Sequence, residues 1–146
     1  MLSSTEWKEK KVFDYGTGTG ILAILAAKLG ANDIDAVDIE DLSYENTIEN
    51  AQRNKVSGIE VYLGNLSVVT NRGYDIILAN INRNVILESL SALYEKLKEG
   101  GEILFSGILA VDKALLLEAA EKQGFTLQQS LQKGDWIALK MQKPAI

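Results

Sequence analysis

The stretch KVFDYGTGTGILAILAAKLGA, residues 11–31, decides the fold. Three glycines at alternating positions separate a short apolar run from a longer one. Residues 11–15 predict a β-strand, and residues 19–29 predict an α-helix that ends at Gly30. Because glycine lacks a Cβ, a ligand can approach the backbone closely at the turn between the two elements.

The rest of the chain alternates between strand-like and helix-like apolar periods. Strands are predicted at 33–39, 59–64, 74–80 and 102–108, and helices around 44–55, at 84–98 and at 111–123. Gly100 and Gly101 are expected to end the 84–98 helix, and Gly124 the last one. Two final strands, 125–132 and 135–142, are joined at Lys133 and Gly134, which is typical of a hairpin.

This order predicts an α/β fold, in which a doubly wound Rossmann-like sheet of seven strands is mostly parallel and ends in an antiparallel hairpin. We expect one domain over residues 1–146, in which residues 1–10 are the remnant of a linker or helix that precedes the first strand. Trp7 is expected to pack or cap before that strand, and Trp136 to pack against the hairpin.

Composition limits the chemistry. The chain has no cysteine and no histidine, so thiolate chemistry is impossible and the usual general base is missing. We expect no metal. A net charge of −5 disfavours direct binding of nucleic acid. The first residues lack the apolar core of a signal peptide, and no apolar stretch could cross a bilayer, so we expect a cytoplasmic chain without a membrane partner.

The glycine turn has the form D-x-G-x-G-x-G, from Asp14 to Gly20. A dinucleotide fingerprint would need its third glycine at Ile21, and a P-loop would need glycine and lysine at Ile21 and Leu22. Neither phosphate-binding pattern fits, which disfavours a nicotinamide dehydrogenase. Simple turn glycines without a ligand remain the alternative.

The same form resembles motif one of S-adenosylmethionine-dependent methyltransferases. That resemblance implies that Asp14, Gly16, Thr17 and Gly18 bind the cofactor. The two glycines would let the backbone pass against the ligand. Asp14 would hold the cationic amino group of the methionine part, directly or through water.

Two further candidate cofactor residues lie at or just after the carboxyl ends of predicted strands. Asp38 ends the second strand, where a carboxylate can accept two hydrogen bonds from a ribose diol, and we assign its neighbour Ile39 to the same site. Asn65 follows the third strand and can accept from the adenine amino group, while Leu66 offers a backbone N–H. The alternatives are a solvated acid for Asp38 and a turn residue for Asn65.

The fourth strand ends DIILANINRN, residues 75–84. This resembles the Asn-Pro-Pro-Tyr motif of amine and amide N-methyltransferases, without its prolines and aromatic residue. We expect the Asn80 side chain and the Ile81 carbonyl to accept N–H groups of a substrate amine and direct its lone pair, with Asn80 also lining the cofactor. Proton loss to water would precede transfer. A helix N-cap or turn role for Asn80 is the alternative.

Longer stretches are similar to the C-terminal catalytic domain of the ribosomal protein L11 methyltransferase family. They are DYGTGTGILAILAAKLGA, AVDIED, ENAQRN, DIILANI, LKEGGEILFSGIL and GDWIALK, within residues 11–140. The resemblance implies S-adenosylmethionine as methyl donor, S-adenosylhomocysteine as product, and N-methylation of lysine side-chain and N-terminal amines of ribosomal protein L11. Family members are about twice as long, with an N-terminal recognition domain, so we expect only the catalytic domain here.

Other functions stay open at this level. The chain could methylate another protein or a small molecule, or it could bind the cofactor without turnover. A nicotinamide dehydrogenase is a third alternative, which the glycine spacing disfavours. The sequence indicates no oligomeric state.

Overall fold

The computed structural model describes residues 6–145, and the expected linker at 1–10 lies partly outside them. Seven strands form one sheet in the order β3-β2-β1-β4-β5-β7-β6. The strands are β1 (Lys11–Tyr15), β2 (Asp33–Asp38), β3 (Ile59–Leu63), β4 (Tyr74–Ala79), β5 (Leu97–Leu109), β6 (Thr126–Lys133) and β7 (Trp136–Gln142). The α-helices are α1 (Ile21–Lys28), α2 (Asp41–Arg53), α3 (Arg83–Lys96) and α4 (Lys113–Gln123).

The sheet confirms the predicted fold class. The pairs β1–β2, β2–β3 and β4–β5 are parallel, and β7 is antiparallel to both β5 and β6. Among the described residues the chain forms two compact parts, residues 6–71 and residues 72–145. Each part has its own buried strands and helices.

In residues 6–71, the buried strand β1 leads through the glycine turn into α1. This helix begins at Ile21 rather than at residue 19, because Gly18 and Gly20 have left-handed φ values of 60° and 83°. Its end is as predicted. Gly30 has a φ of 118°, and the amides of Gly30 and Ala31 donate to carbonyls of the last turn, as in a Schellman motif. Trp7 is 3% exposed, which confirms its packing role.

In residues 72–145, β4 is buried along nearly its whole length, as expected of a strand covered on both faces. Phe125 lies edge-on against Tyr94 and Phe105, at centroid distances of 5.0 and 6.3 Å. Gly124 ends α4 as predicted, with a φ of 119°. A Cβ on Gly124 would lie 2.8 Å from the Tyr94 hydroxyl oxygen, so glycine is also required there by packing.

One helix end differs from the prediction. Helix α3 ends at Lys96 and not at Gly100 and Gly101, which both lie inside β5. The cause is tertiary. Leu97 is 2% exposed and pairs with Tyr74 of β4, so burial in the sheet begins before the glycines are reached. A Cβ on Gly101 would lie 3.0 Å from the Tyr74 carbonyl oxygen, so the glycine allows this close pairing.

Three smaller predictions are also corrected. The hairpin turn consists of Gly134 and Asp135, since Lys133 already pairs with Trp136. A 3₁₀ turn, Ala110–Asp112, precedes α4, where one helix from 111 was expected. Trp136 does not pack into the hairpin, because it is 56% exposed.

Candidate active site

The glycine turn between β1 and α1 has two different sides. Gly16, Gly18 and Gly20 all have positive φ, and the Gly16 amide donates to the Val37 carbonyl at 2.9 Å. A Cβ on Gly20 would lie 2.7 Å from the Thr47 side chain, so this glycine is needed for packing against α2. A Cβ on Gly18 would meet no atom within 4 Å. Gly18 therefore presents an open backbone surface.

Asp14 is a buried carboxylate with one unpaired oxygen. It is 1% exposed, and its Oδ2 accepts from the Thr17 hydroxyl at 2.8 Å. Oδ1 has no hydrogen-bond partner among the described residues. Burial raises the pKa of Asp14 to about 6, although the Thr17 hydroxyl and the Ala23 amide lower it, and the charge of Asp38 raises it further. A buried carboxylate is stabilised by a cation, so this oxygen fits an ammonium group.

Asp38 lies at the carboxyl end of β2 and faces the same turn. Its Oδ2 accepts from the Gly18 amide at 3.0 Å, and its Oδ1 accepts from the Glu40 amide at 3.1 Å. Each oxygen retains a further lone pair for a hydroxyl donor. The next residue, Ile39, is 73% exposed and offers an apolar surface beside the carboxylate. The structure thus brings the predicted residues Asp14, Gly18 and Asp38 together.

Asn65 uses its amide oxygen locally. Asn65 Oδ1 accepts from the backbone N–H of Ser67 at 3.0 Å and from the Ser67 hydroxyl, and so caps the 3₁₀ turn Leu66–Val68. Both lone pairs of that oxygen are occupied. An adenine amino group could take one only after the Ser67 hydroxyl turned away, so the base contact of Asn65 stays a prediction. Leu66 is the first residue of the turn, where a helical backbone N–H has no partner in its own helix.

Helix α2 supports the glycine turn through two residues that the sequence analysis missed. The Thr47 hydroxyl, fully buried, lies 3.1 Å from the Gly18 carbonyl oxygen and 2.9 Å from that of Ser43. The Asn50 side-chain amide donates to the Thr19 carbonyl at 2.9 Å. Two polar residues three positions apart on one helix face were the available signal.

The end of β4 presents the predicted amine-binding residues. Asn80 and Ile81 follow the buried strand, and Asn80 is exposed. The side chain of Asn80 does not cap α3. That role belongs to Asn82, whose Oδ1 accepts from the Val85 amide at 3.0 Å. The N-cap alternative for Asn80 is therefore excluded.

A pocket of about 590 Å³ lies beside this segment and includes Gly107 of β5. Its apolar wall is formed by Leu109, Val111 and Trp136, which are 41%, 85% and 56% exposed. Arg83 and Asp112, also in its lining, form an ion pair at 2.8 Å. Apolar side chains left exposed around a pocket are typical of binding surfaces.

Within residues 6–145, no group of three or more histidine, cysteine or acidic side chains is arranged to hold a metal ion. None of the helices in this part of the chain is long and apolar enough to cross a membrane.

A seven-stranded sheet with a terminal antiparallel hairpin, and a glycine turn between two carboxylates, defines the class I methyltransferases. A methyltransferase from Pyrococcus furiosus shares the fold at a TM-score of 0.81 and 20% identity, over 99% of this chain and 80% of its own. The family model for ribosomal protein L11 methyltransferase (PrmA) matches residues 1–144, so the chain belongs to that family.

Individual relatives agree with this assignment. The ribosomal protein L11 methyltransferase of Porphyromonas gingivalis is 44% identical over 89% of this chain and 45% of its own length. That of Bacillus subtilis is 41% identical over 93% and 44%. The crystal structure of ribosomal protein L11 methylase from Lactobacillus delbrueckii subsp. bulgaricus matches at a TM-score of 0.92 and 33% identity, over 98% of this chain and 74% of that one. The chain spans about half the length of the curated relatives.

Proposed function

We propose that residues 1–146 are a methyltransferase domain that transfers a methyl group from S-adenosylmethionine to lysine side-chain and N-terminal amines of ribosomal protein L11, in the cytoplasm. The observation that carries the proposal is the unpaired Oδ1 of Asp14, buried beneath a glycine turn with an open face. Membership of the L11 methyltransferase family supports the same activity and substrate.

The residues of the turn fit this cofactor. Asp14 Oδ1 would take the ammonium group of the methionine part, and Thr17 holds the other oxygen in place. The open backbone of Gly18 leaves room for the ligand, and the remaining lone pairs of Asp38 suit a ribose diol. The exposed Ile39 offers an apolar surface for the base.

The substrate amine is bound by the residues that follow β4. When bound, the cofactor supplies an electrophilic methyl group on a sulfonium. The protein must present a neutral amine in line with it, and positioning accounts for much of the rate. The Asn80 side-chain oxygen and the Ile81 carbonyl accept two N–H groups of the amine, which directs its lone pair. Desolvation lowers the pKa of a lysine amine, and the proton leaves to water before transfer.

The test of the cofactor site is a calorimetric titration of S-adenosylhomocysteine. We expect Asp38→Ala to weaken binding by about 1.5–3 kcal/mol, roughly tenfold to more than a hundredfold, because the ribose hydrogen bonds are lost. Asp33→Ala is the matched control, since Asp33 is an exposed acid at the other end of β2. Absence of binding by the folded wild-type chain would contradict the proposal.

A second measurement separates catalysis from binding alone. Incubation with S-adenosylmethionine and ribosomal protein L11 should add the mass of whole methyl groups to lysine or the N-terminus. Cofactor binding without any mass increase, with the longer relative from Bacillus subtilis active in the same assay, would favour a binding module without turnover.

Thr47→Val tests the support from α2. Valine has nearly the shape of threonine but cannot donate to the Gly18 carbonyl. We expect about 1 kcal/mol lower stability to urea, and S-adenosylhomocysteine binding about threefold to tenfold weaker because the turn loses its anchor. Thr126→Val, at an exposed strand position, should change neither quantity. Unchanged affinity in Thr47→Val would show that the hydroxyl does not hold the turn in its binding conformation.

A further inference from the structure

Gly107 is an exposed residue in an irregular part of β5. Its φ is 73°, and the pairing of β5 with β7 shifts register between Phe105 and Ile108. Such a bulge with a left-handed glycine re-aims the strand and is frequent next to functional sites.

In the direction that a Cβ would take, Gly107 faces the side chain of Asn80. Apart from the residues adjacent in the chain, a Cβ built on Gly107 would meet only Asn80, with Oδ1 in severe overlap and Cγ at 3.6 Å. Oδ1 is nearer to that point than Cγ by about the length of a C=O bond, ~1.2 Å. The side-chain carbonyl of Asn80 therefore points directly at the position that a Cβ would take.

We propose that Gly107 is a positioning residue that sets the direction of the Asn80 oxygen, and through it the alignment of the substrate amine. The proposal rests on the proposed function of Asn80. Because glycine carries only a hydrogen atom in this direction, the Asn80 oxygen can occupy the space that a methyl group would fill. A methyl group at this position forces the Asn80 amide to rotate away.

Other glycines of the same part of the chain differ in what their Cβ would meet. At Gly101 and Gly124 it would meet the backbone or a packed aromatic ring, so a substitution there disturbs the core. At Gly73, with a φ of 79°, it would meet nothing within 4 Å. Gly73→Ala therefore matches the backbone strain of Gly107→Ala without any overlap.

The experiment compares Gly107→Ala with Gly73→Ala in two readouts. The first is the ¹⁵N-resolved NMR signal of the Asn80 side-chain amide, identified by its loss in Asn80→Ala. We expect this signal to shift in Gly107→Ala and to stay in place in Gly73→Ala. The second is methyl transfer, where kcat/KM should fall roughly tenfold to a hundredfold in Gly107→Ala only. S-adenosylhomocysteine affinity should change by no more than about threefold in Gly107→Ala, because Asn80 is also predicted to line the cofactor, and should not change in Gly73→Ala.

A double mutant then tests the route of the effect. In an Asn80→Ala background, Gly107→Ala should cause no further loss of kcat/KM, because the side chain that it displaces is gone. A further loss of the same size would overturn the proposal, as would an Asn80 signal unchanged by Gly107→Ala. If the wild type is active, a Gly107→Ala variant with a shifted Asn80 signal but an unchanged kcat/KM would also overturn the proposal. If the wild type transfers no methyl group, the proposed function fails, and the NMR comparison still decides whether Gly107 orients Asn80.

Discussion

Asp14→Asn is expected to make the folded chain more stable and to remove tight binding of S-adenosylhomocysteine. Burial raises the pKa of Asp14 from 3.8 to about 6, so its ionised form is destabilised in the folded state at neutral pH. A difference of about two pKa units corresponds to about 3 kcal/mol. Asparagine keeps the shape and an acceptor for the Thr17 hydroxyl but carries no charge. Urea unfolding at pH 7 should show the gain.

The pH dependence of the unfolding free energy tests independently whether the ionised Asp14 destabilises the folded chain. Between pH 4 and pH 6 the folded chain holds the Asp14 proton that the unfolded chain has already lost. The contribution of this group to stability therefore falls as pH rises through that window. The wild type should lose about 3 kcal/mol relative to Asp14→Asn between about pH 4 and pH 7. Equal pH profiles of the two proteins would contradict the assigned pKa.

Asp14→Asn is expected to weaken ligand binding, although it is expected to increase stability. The ammonium group of S-adenosylhomocysteine would lose its counter-charge in Asp14→Asn, so we expect the dissociation constant to rise at least about tenfold. In the wild type, affinity should weaken below about pH 6 as Asp14 becomes protonated. Asp33→Asn, at the exposed start of β2, is the control. Unchanged affinity in Asp14→Asn would place the cofactor elsewhere.

Asn80→Ala is expected to have the largest effect on methyl transfer. If Asn80 binds the amine as proposed, removing its side-chain oxygen would take away an acceptor that directs the lone pair of the amine, so kcat/KM should fall by roughly 10²–10³. Because Asn80 is also predicted to line the cofactor, we expect S-adenosylhomocysteine to bind up to about threefold more weakly. Rates with ribosomal protein L11 and calorimetry together measure both quantities.

The neighbouring Asn82 supplies the contrast. Asn82 caps α3, so Asn82→Ala should cost about 1 kcal/mol of unfolding free energy while methyl transfer continues. The two asparagines stand two positions apart, and the two variants are expected to separate an effect on methyl transfer from an effect on stability. If Asn80→Ala lowered stability and left kcat/KM intact, the assignment of Asn80 to the amine would be wrong.

The sequence by itself determined the order of elements and the form of the glycine turn. Alternating apolar periods predicted all seven strands and four helices, and Gly30 and Gly124 marked helix ends correctly. These signals are local, because a helix end or a turn depends on a few consecutive residues. The same holds for the glycine turn from Asp14 to Gly20, whose spacing alone separates it from phosphate-binding turns.

The tertiary structure decided what depends on distant segments meeting. Gly100 and Gly101 do not end α3, because Leu97 gains burial against Tyr74, which no local pattern shows. The support of Gly18 by Thr47 joins a turn to another helix in the same way. The raised pKa of Asp14 comes from burial by its surroundings. Burial energies and side-chain orientations are set by which segments come into contact, so only the folded chain determines them.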